Sequence, residues 1–155
     1  MIVSNNMGGY IMVSLEKITP NNYRECLNLK VTEEQKHFVS PNVLSLAKAY
    51  VYDDVVPFAI YNESLMVGFI MIRFNKEQNN SFIWQFMIDE KYQSKGYGSK
   101  ALGLAIEWMK KNSRCHEIVT TYIDGNDKAK KLYEKYGFQQ MGELTDGEVD
   151  MVSYI

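Results

Sequence analysis

Seven consecutive residues, Gln93-Ser94-Lys95-Gly96-Tyr97-Gly98-Ser99, carry the densest chemical signal in this sequence. Glycines let a backbone turn tightly and present successive N–H groups with no side chain in the way. Here they lie between an apolar run, Phe82–Ile88, and a stretch of helical periodicity beginning at Ser99. Those amides and the positive end of the helix would form an anion site suited to a pyrophosphate, with Lys95 adding a mobile charge. A GxG pair alone is also an ordinary way to start a helix. Gly96, Gly98 and Ala101 further fit the dinucleotide pattern G-x-G-x-x-G/A, with Asp124 where a ribose-binding acid would sit. Against that reading, Asp89–Lys95 separates the glycines from their strand, and residues 125–155 are too few for further βαβ units. No G-x-x-x-x-G-K-[ST] occurs, which excludes a P-loop.

The second signal is Asn126-Asp-Lys-Ala-Lys-Lys-Leu-Tyr133-Glu-Lys-Tyr-Gly-Phe138. Asn126 and Tyr133 stand two helical turns apart and so project along one face. In isolation they read as a helix cap and an amphipathic tyrosine. No Ser/His/Asp or Cys/His pairing at usable positions suggests a covalent intermediate. Cys115-His116 is a single adjacent pair, read as structural, and no metal-ligand spacing is present.

The elements that must position these residues follow from periodicity and punctuation. Val13–Ile18 reads as a strand, and Thr19-Pro20 as cap and first turn of a helix to about Leu29. Ser40-Pro41 repeats that signal before a helix over Asn42–Tyr50, after a polar connection with Glu33, Glu34 and His37. Pro57–Tyr61 and Met66–Phe74 form a hairpin around Asn62-Glu63-Ser64. Phe82–Ile88 is a central strand, apolar at nearly every position. Leu102, Ala105, Ile106 and Met109 make one face of a helix over Ser99–Lys111. Ile118–Ile123 is a further strand, Asn126 caps a helix to about Tyr136 ended by Gly137, and Phe138–Gly142 with Val149–Tyr154 closes the chain. The expected fold is α/β: a single domain over 13–155, one sheet with helices on both faces. Residues 1–12 are expected to be disordered or weakly ordered, with Met7 and Met12 as candidate translation starts.

Composition narrows the partners. Apolar residues are 46% and charged residues 23%, ordinary for a soluble domain. The net charge of −2 argues against nucleic acid, and no run approaches the length of a membrane span. Two cysteines without a framework, and no basic leader, point to a cytoplasmic location. The charge is unevenly placed. Lys91 to Arg114 holds six basic residues and one acid, and Lys128 to Lys135 four lysines and one acid. Acids pair elsewhere: Glu33-Glu34, Asp53-Asp54, and Asp146 with Glu148. One basic region on a near-neutral chain suits a small polyanion, and equally a solvated helix face.

Together the two signals resemble those of the GNAT superfamily of acetyl-CoA-dependent N-acetyltransferases. Gln93-x-x-Gly96-x-Gly98 matches its Arg/Gln-x-x-Gly-x-Gly/Ala signature, and Asn126, Ala129 and Leu132-Tyr133-Glu-Lys-Tyr-Gly137-Phe138 match its second one. More narrowly, Pro57–Tyr61, Val67-Gly-Phe69, Phe86–Gln93 and Gly142-Glu143 are similar to bacterial spermine/spermidine acetyltransferases. The resemblance implies a mostly antiparallel sheet splayed between the fourth and fifth predicted strands, Phe82–Ile88 and Ile118–Ile123. It implies that Met87 and Ile88 offer backbone groups to the pantetheine arm of coenzyme A. Gln93, Ser94, Lys95, Gly96, Tyr97, Gly98 and Ser99 would wrap the pyrophosphate, Asn126 would bond the pantetheine amide region, and Lys128 and Lys135 would approach the adenosine phosphates. Tyr133 would sit at the sulfur as general acid. The partner would be a small-molecule amine, with a homodimer common among such relatives. A non-catalytic acyl-CoA-binding module, or an acetyltransferase for a protein N-terminus or antibiotic amine, is an open alternative.

Direct attack of an amine on a thioester depends on proximity and oxyanion stabilisation, for which the N–H near Ile88 is the candidate donor. An alkylamine has a pKa of about 10.4, so only roughly one molecule in 10³ is neutral at pH 7, and a base must assist. Where many relatives carry a glutamate, this chain has Gln85, which cannot ionise. Glu33, Glu34, His37 and Glu143 are the base candidates by loop position. The paired acids Glu33 and Glu34 would also suit a polycation, as carboxylates on the connection that covers the acceptor cleft in relatives. Tyrosine at about 10 against a thiol at about 8.5 makes complete proton transfer uphill by roughly 2 kcal/mol, so a hydrogen bond to developing thiolate is the larger part of the tyrosine's role.

Overall fold

The order of strands across the sheet is set by where apolar runs meet turns. The computed structural model describes residues 2–3 and 11–155. Among them lie β1 (Ile2–Val3), β2 (Val13–Lys17), β3 (Val55–Asn62), β4 (Leu65–Asn75), β5 (Asn80–Ile88), β6 (Glu117–Ile123), β7 (Gln139–Gln140) and β8 (Glu148–Tyr154). They form one sheet ordered β1-β2-β3-β4-β5-β6-β8-β7. Every neighbouring pair is antiparallel except β5 and β6. The helices are α1 (Tyr23–Asn28), α2 (Asn42–Val51), α3 (Tyr97–Asn112) and α4 (Asp127–Lys135). The α/β architecture read from the sequence is the one observed.

The helices cover opposite faces. One core layer joins Leu102, Ala105, Ile106 and Met109 of α3 and Tyr133 of α4 to Ile70, Ile72 and Ile83 of the sheet. The other places Cys26 of α1, with Leu46 and Ala49 of α2, against Phe69, Met71 and Met87. Each large apolar side chain so buried contributes roughly 1.5–3 kcal/mol.

Two local expectations are corrected. Thr19-Pro20 does not open a helix: Thr19 Oγ1 accepts the Asn21 N–H (3.2 Å), Asn22 Oδ1 accepts the Thr19 N–H (2.7 Å), and this turn delays α1 to Tyr23. Ser40 does not cap α2 with its side chain; its carbonyl instead accepts Gln85 Nε2 (2.7 Å), because a buried amide requires a partner. Within the segment expected to be disordered or weakly ordered, Ile2 and Val3 pair with Leu15 and Ser14. Residues 1 and 4–10 of that segment lie outside the described residues.

Two irregularities shape the middle of the sheet. Between Met71 and Ile72 the β4–β5 register shifts, Met71 facing Gln85 and Ile72 facing Ile83, so Trp84 is the extra residue of a bulge. Ile83 packs on the α3 side and Trp84 on the α2 side, and Gln85 bonds Ser40 on that same α2 side. The second irregularity is the parting of β5 from β6. They pair only over Ser81–Ile83 and Ile118–Thr120. Beyond that, β5 follows β4 to Ile88 and β6 follows β8 to Ile123. The expected splay between these strands is present, and it leaves one side of Trp84–Ile88 without a partner strand among the described residues.

Candidate active site

A cleft of ≈ 360 Å³ occupies the α3–α4 side of this splay. Its floor is Phe86, Met87 and Ile88 of β5; one wall is Gln93, Ser94, Gly96, Tyr97, Gly98 and Ser99, and the other Asn126, Lys128, Ala129, Leu132 and Tyr133. Thus most residues of both sequence signals meet in one cavity. Lys95 and Lys135 do not line it, and Lys95 is exposed.

The loop has the backbone of an anion cradle. Ser94 (φ +59°) and Gly96 (φ +87°) both take left-handed conformations, which turn successive amides towards one side. Gly96 is the N-cap of α3, so the helix starts at Tyr97, two residues before the predicted Ser99. The amides of the first helical turn have no intrahelical acceptor and are free for an anion. A Cβ on Gly98 would stand 3.4 Å from Ile88 Cγ1 and 3.8 Å from Phe86 Cζ, ordinary van der Waals distances, so the start of α3 lies directly against the end of β5. Lys135 Nζ donates to Ser99 Oγ (2.7 Å), bringing positive charge to that same turn. These features, with the unpaired side of β5, fit a ligand carrying both a diphosphate and an amide-bearing arm.

The Gln93 side chain is held within the protein. Its Nε2 donates to the Ile88 carbonyl (2.9 Å) and to Gln35 Oε1 (2.8 Å), while Gln35 Nε2 donates back to Gln93 Oε1 (3.1 Å). Asp89, buried, continues the clamp: Oδ1 accepts the Lys91 N–H (3.0 Å) and Oδ2 the Lys30 N–H (2.9 Å). Sequence reasoning passed over Gln35 and Asp89. Asp89 had a local signal, an acid at a strand end that can accept the amide two residues on; Gln35 had none, its partner being distant in sequence.

Asn126 caps α4, its Oδ1 accepting the Ala129 N–H (3.3 Å). Tyr133, two turns on, is 5% exposed and packs against Phe138 (ring centroids 5.5 Å). Burial pushes its phenol above the ordinary tyrosine range, an effect that a hydrogen bond with the Thr120 side chain partly offsets. Thr120 faces Ile83 in the last β5–β6 pair, and its Oγ1 donates to the Ile83 carbonyl (3.4 Å). Tyr133 therefore stands where the strands part.

A second, polar cleft of ≈ 360 Å³ lies on the α2 side and shares Phe38 and Val39 with the first. Gln85 lines it, next to Phe86 of the first cleft, opposite Thr121, Tyr122 and Ile123 of β6. Its ionisable residues are His37, Lys48, Tyr122 and Glu148. Of the base candidates, His37 lines this cleft, its ring tilted against that of Phe38 (centroids 3.9 Å), whereas Glu33, Glu34 and Glu143 line neither cleft. Glu33 is exposed and forms an ion pair with Lys36. Glu148, noted in the sequence only as half of an acidic pair, enters the cleft because it opens β8 opposite Ile123. No group of three or more His, Cys, Asp and Glu that could hold a metal exists among the described residues. Nor is any helix among them long and apolar enough to cross a membrane.

An amide-rich loop opening onto a splayed sheet, with a buried phenol at the gap, defines an acyl-CoA-dependent transferase. Residues 19–138 match the acetyltransferase (GNAT) family, and the chain belongs to it. The spermine/spermidine N(1)-acetyltransferase of Bacillus subtilis (strain 168) is 31% identical over 147 residues, covering 90% of this chain and 97% of that enzyme. In fold, the chain is similar to the spermidine N-acetyltransferase from Vibrio cholerae solved with CoA and spermine (TM-score 0.75, 19% identity, 92% of this chain and 94% of that one). A dodecameric structure of spermidine N-acetyltransferase from the same organism superposes with TM-score 0.70 at 18% identity, over 92% of this chain and 93% of that one. The chain is thus an acetyl-CoA-dependent N-acetyltransferase.

Proposed function

We propose that the chain acetylates a primary amine of a polyamine such as spermidine or spermine. The observation that carries the reading is the position of Tyr133 at the parting of β5 and β6, where an amide-lined cleft meets a polar one. The similarity to a spermine/spermidine acetyltransferase across nearly the whole chain supports the acceptor class.

Acetyl-CoA, when bound, supplies the activated acyl group. The amides from Ser94 to Ser99 would hold its diphosphate, with Lys95, Lys128 and Lys135 adding charge. The open side of Met87 and Ile88 and the side chain of Asn126 would receive the pantetheine arm. The N–H near Ile88 would stabilise the oxyanion. The Tyr133 hydroxyl, its pKa raised by burial, keeps its proton at neutral pH and offers a hydrogen bond to the departing sulfur. His37, on the polar cleft, would take the ammonium proton through water, and Gln85 would orient the acceptor without ionising. Glu33 and Glu34, exposed, would attract the trailing ammoniums outside the cleft.

A cytoplasmic location accords with two unpaired cysteines, Cys26 and Cys115. A homodimer, or a larger homo-oligomer, accords with the exposed stripe Val43, Leu44, Tyr50 and Val51 on α2, of which Tyr50 is 91% exposed. The test is thiol release from acetyl-CoA with purified protein and a panel of amines. Turnover of spermidine and spermine above monoamines and antibiotic amines is the expected result; turnover confined to another amine class overturns the acceptor assignment.

A further inference from the structure

The polar cleft contains a cation that a polycation-acetylating enzyme has no evident use for. Lys48, near the end of α2, lines the cleft and is half-buried. Among the described residues it forms no salt bridge. Its ammonium instead lies over the ring of Trp84, 4.5 Å from the centroid. Trp84 is the bulge residue of β5, and its ring also meets the Arg73 guanidinium at 5.5 Å. Arg73 is neutralised by Asp54 through two contacts of 3.2 and 3.1 Å. Lys48 is therefore the uncompensated charge at this wall, fixed by a π face where a carboxylate would have cancelled it. The carboxylate of the same cleft belongs to Glu148, on β8 across the gap.

A cleft with one carboxylate and one unpaired ammonium does not treat all amines alike. A single ammonium trailing the reacting amine is drawn to Glu148. A second ammonium inside the same cavity meets Lys48, and like charges in a partly dehydrated cavity repel strongly. We propose that Lys48 is a specificity-determining residue, which limits the cleft to acceptors that bring no more than one ammonium into it. The inference deepens the polyamine reading and rests on the same cleft. It makes Lys48 a brake on the higher polyamines and leaves singly charged amines of equal length unaffected.

The test compares spermidine and spermine with a primary amine of similar length in which ether oxygens replace the inner amines. Lys48→Gln should raise kcat/KM for spermine about threefold and Lys48→Glu about tenfold, with the ether amine changed by less than about twofold. Lys48→Arg, which keeps the charge, should behave as the parent. The gain should shrink at high salt. Affinity for CoA, measured by calorimetry, should be the same in all variants. Equal changes for spermine and the ether amine, or none for either, would overturn the proposal in favour of a packing role. If the parent acetylates the ether amine but no polyamine, the polyamine reading fails by itself. In that case spermine turnover appearing in Lys48→Glu still supports the brake, and its continued absence refutes it.

Discussion

Gln35 and Gln93 hold each other by a reciprocal pair of amide hydrogen bonds, 2.8 and 3.1 Å, across a sequence separation of 58 residues. Gln93 begins the loop of bare amides, and Gln35 belongs to the connection between α1 and α2. The remaining Gln93 donor bonds the Ile88 carbonyl. The glutamine thus fixes the end of β5, the cofactor loop and the α1–α2 connection to one another.

This arrangement predicts that Gln35→Ala weakens acetyl-CoA binding, because Gln35 lines the cofactor cleft from the α1–α2 connection and holds Gln93 in place. A lost hydrogen bond of about 1 kcal/mol corresponds to about a fivefold rise in Kd. Gln93→Ala should cost more, since it also frees the Ile88 carbonyl. The double variant should fall short of the sum of the two, as expected for direct partners. Titration calorimetry with CoA measures all three.

Tyr133→Phe should lower kcat more than about tenfold while changing CoA affinity less than about twofold, the pattern of an interaction made in the transition state. Steady-state kinetics and calorimetry supply the two numbers. An unchanged kcat would remove Tyr133 from the chemistry and leave it a core residue beside Phe138.

Gly68→Ala tests how the end of β5 is shaped. A Cβ there would lie 2.4 Å from the Met87 carbonyl oxygen, a backbone atom that cannot swing aside. The expected loss is about 1–3 kcal/mol of unfolding free energy, with weakened CoA binding because Met87 and Ile88 must shift. Denaturant titration and calorimetry report the two effects. Gly125→Ala, where a Cβ meets nothing within 4 Å, should cost only the strain of its positive φ, about 1 kcal/mol.

Alkaline pH should destabilise the protein earlier than lysine-rich surface chemistry would suggest. Burial raises the Cys26 thiol from 9.0 to about 12 and raises the Tyr133 phenol above 10.0. In both cases the folded chain holds its proton after the unfolded chain has lost it. The associated stability is intact below about pH 9 and declines as pH climbs through the raised values. Melting temperature followed from neutral to strongly alkaline pH should fall across this window. Tyr133→Phe should flatten the later part of the fall, and Cys26→Ala the earlier.

The elements that could be read from the sequence are those whose signals are local. The α3 face of Leu102, Ala105, Ile106 and Met109, the Asn126 cap and the Gly137 terminus are all where spacing puts them. So is the convergence of the glycine loop with Tyr133, because the strand between the two signals fixes their relative placement. The failures share one cause. Thr19 and Ser40 have the residue type of helix caps, but a turn and a carbonyl claimed by Gln85 decide those positions, and neither shows in a window of a few residues. The Gln35–Gln93 pair, the Asp89 clamp and the entry of Glu148 into the polar cleft are likewise products of distant contact. Charge pattern pointed to Glu33 and Glu34, whereas the carboxylate that lines the cleft comes from the start of β8.

The additional residue at Trp84 has a consequence for how the two halves of the catalytic gap are matched. Upstream of it, odd-numbered Ile83 faces α3; downstream, even-numbered Phe86 and Ile88 do so. One strand thereby serves two layers whose alternations are half a pleat out of phase. Deleting Trp84 alone would restore regular alternation and keep each face, whereas a one-residue deletion between the bulge and Ile88 would turn the residues after it to the opposite face. The length of β5, counted to the residue, is in this sense part of the active site.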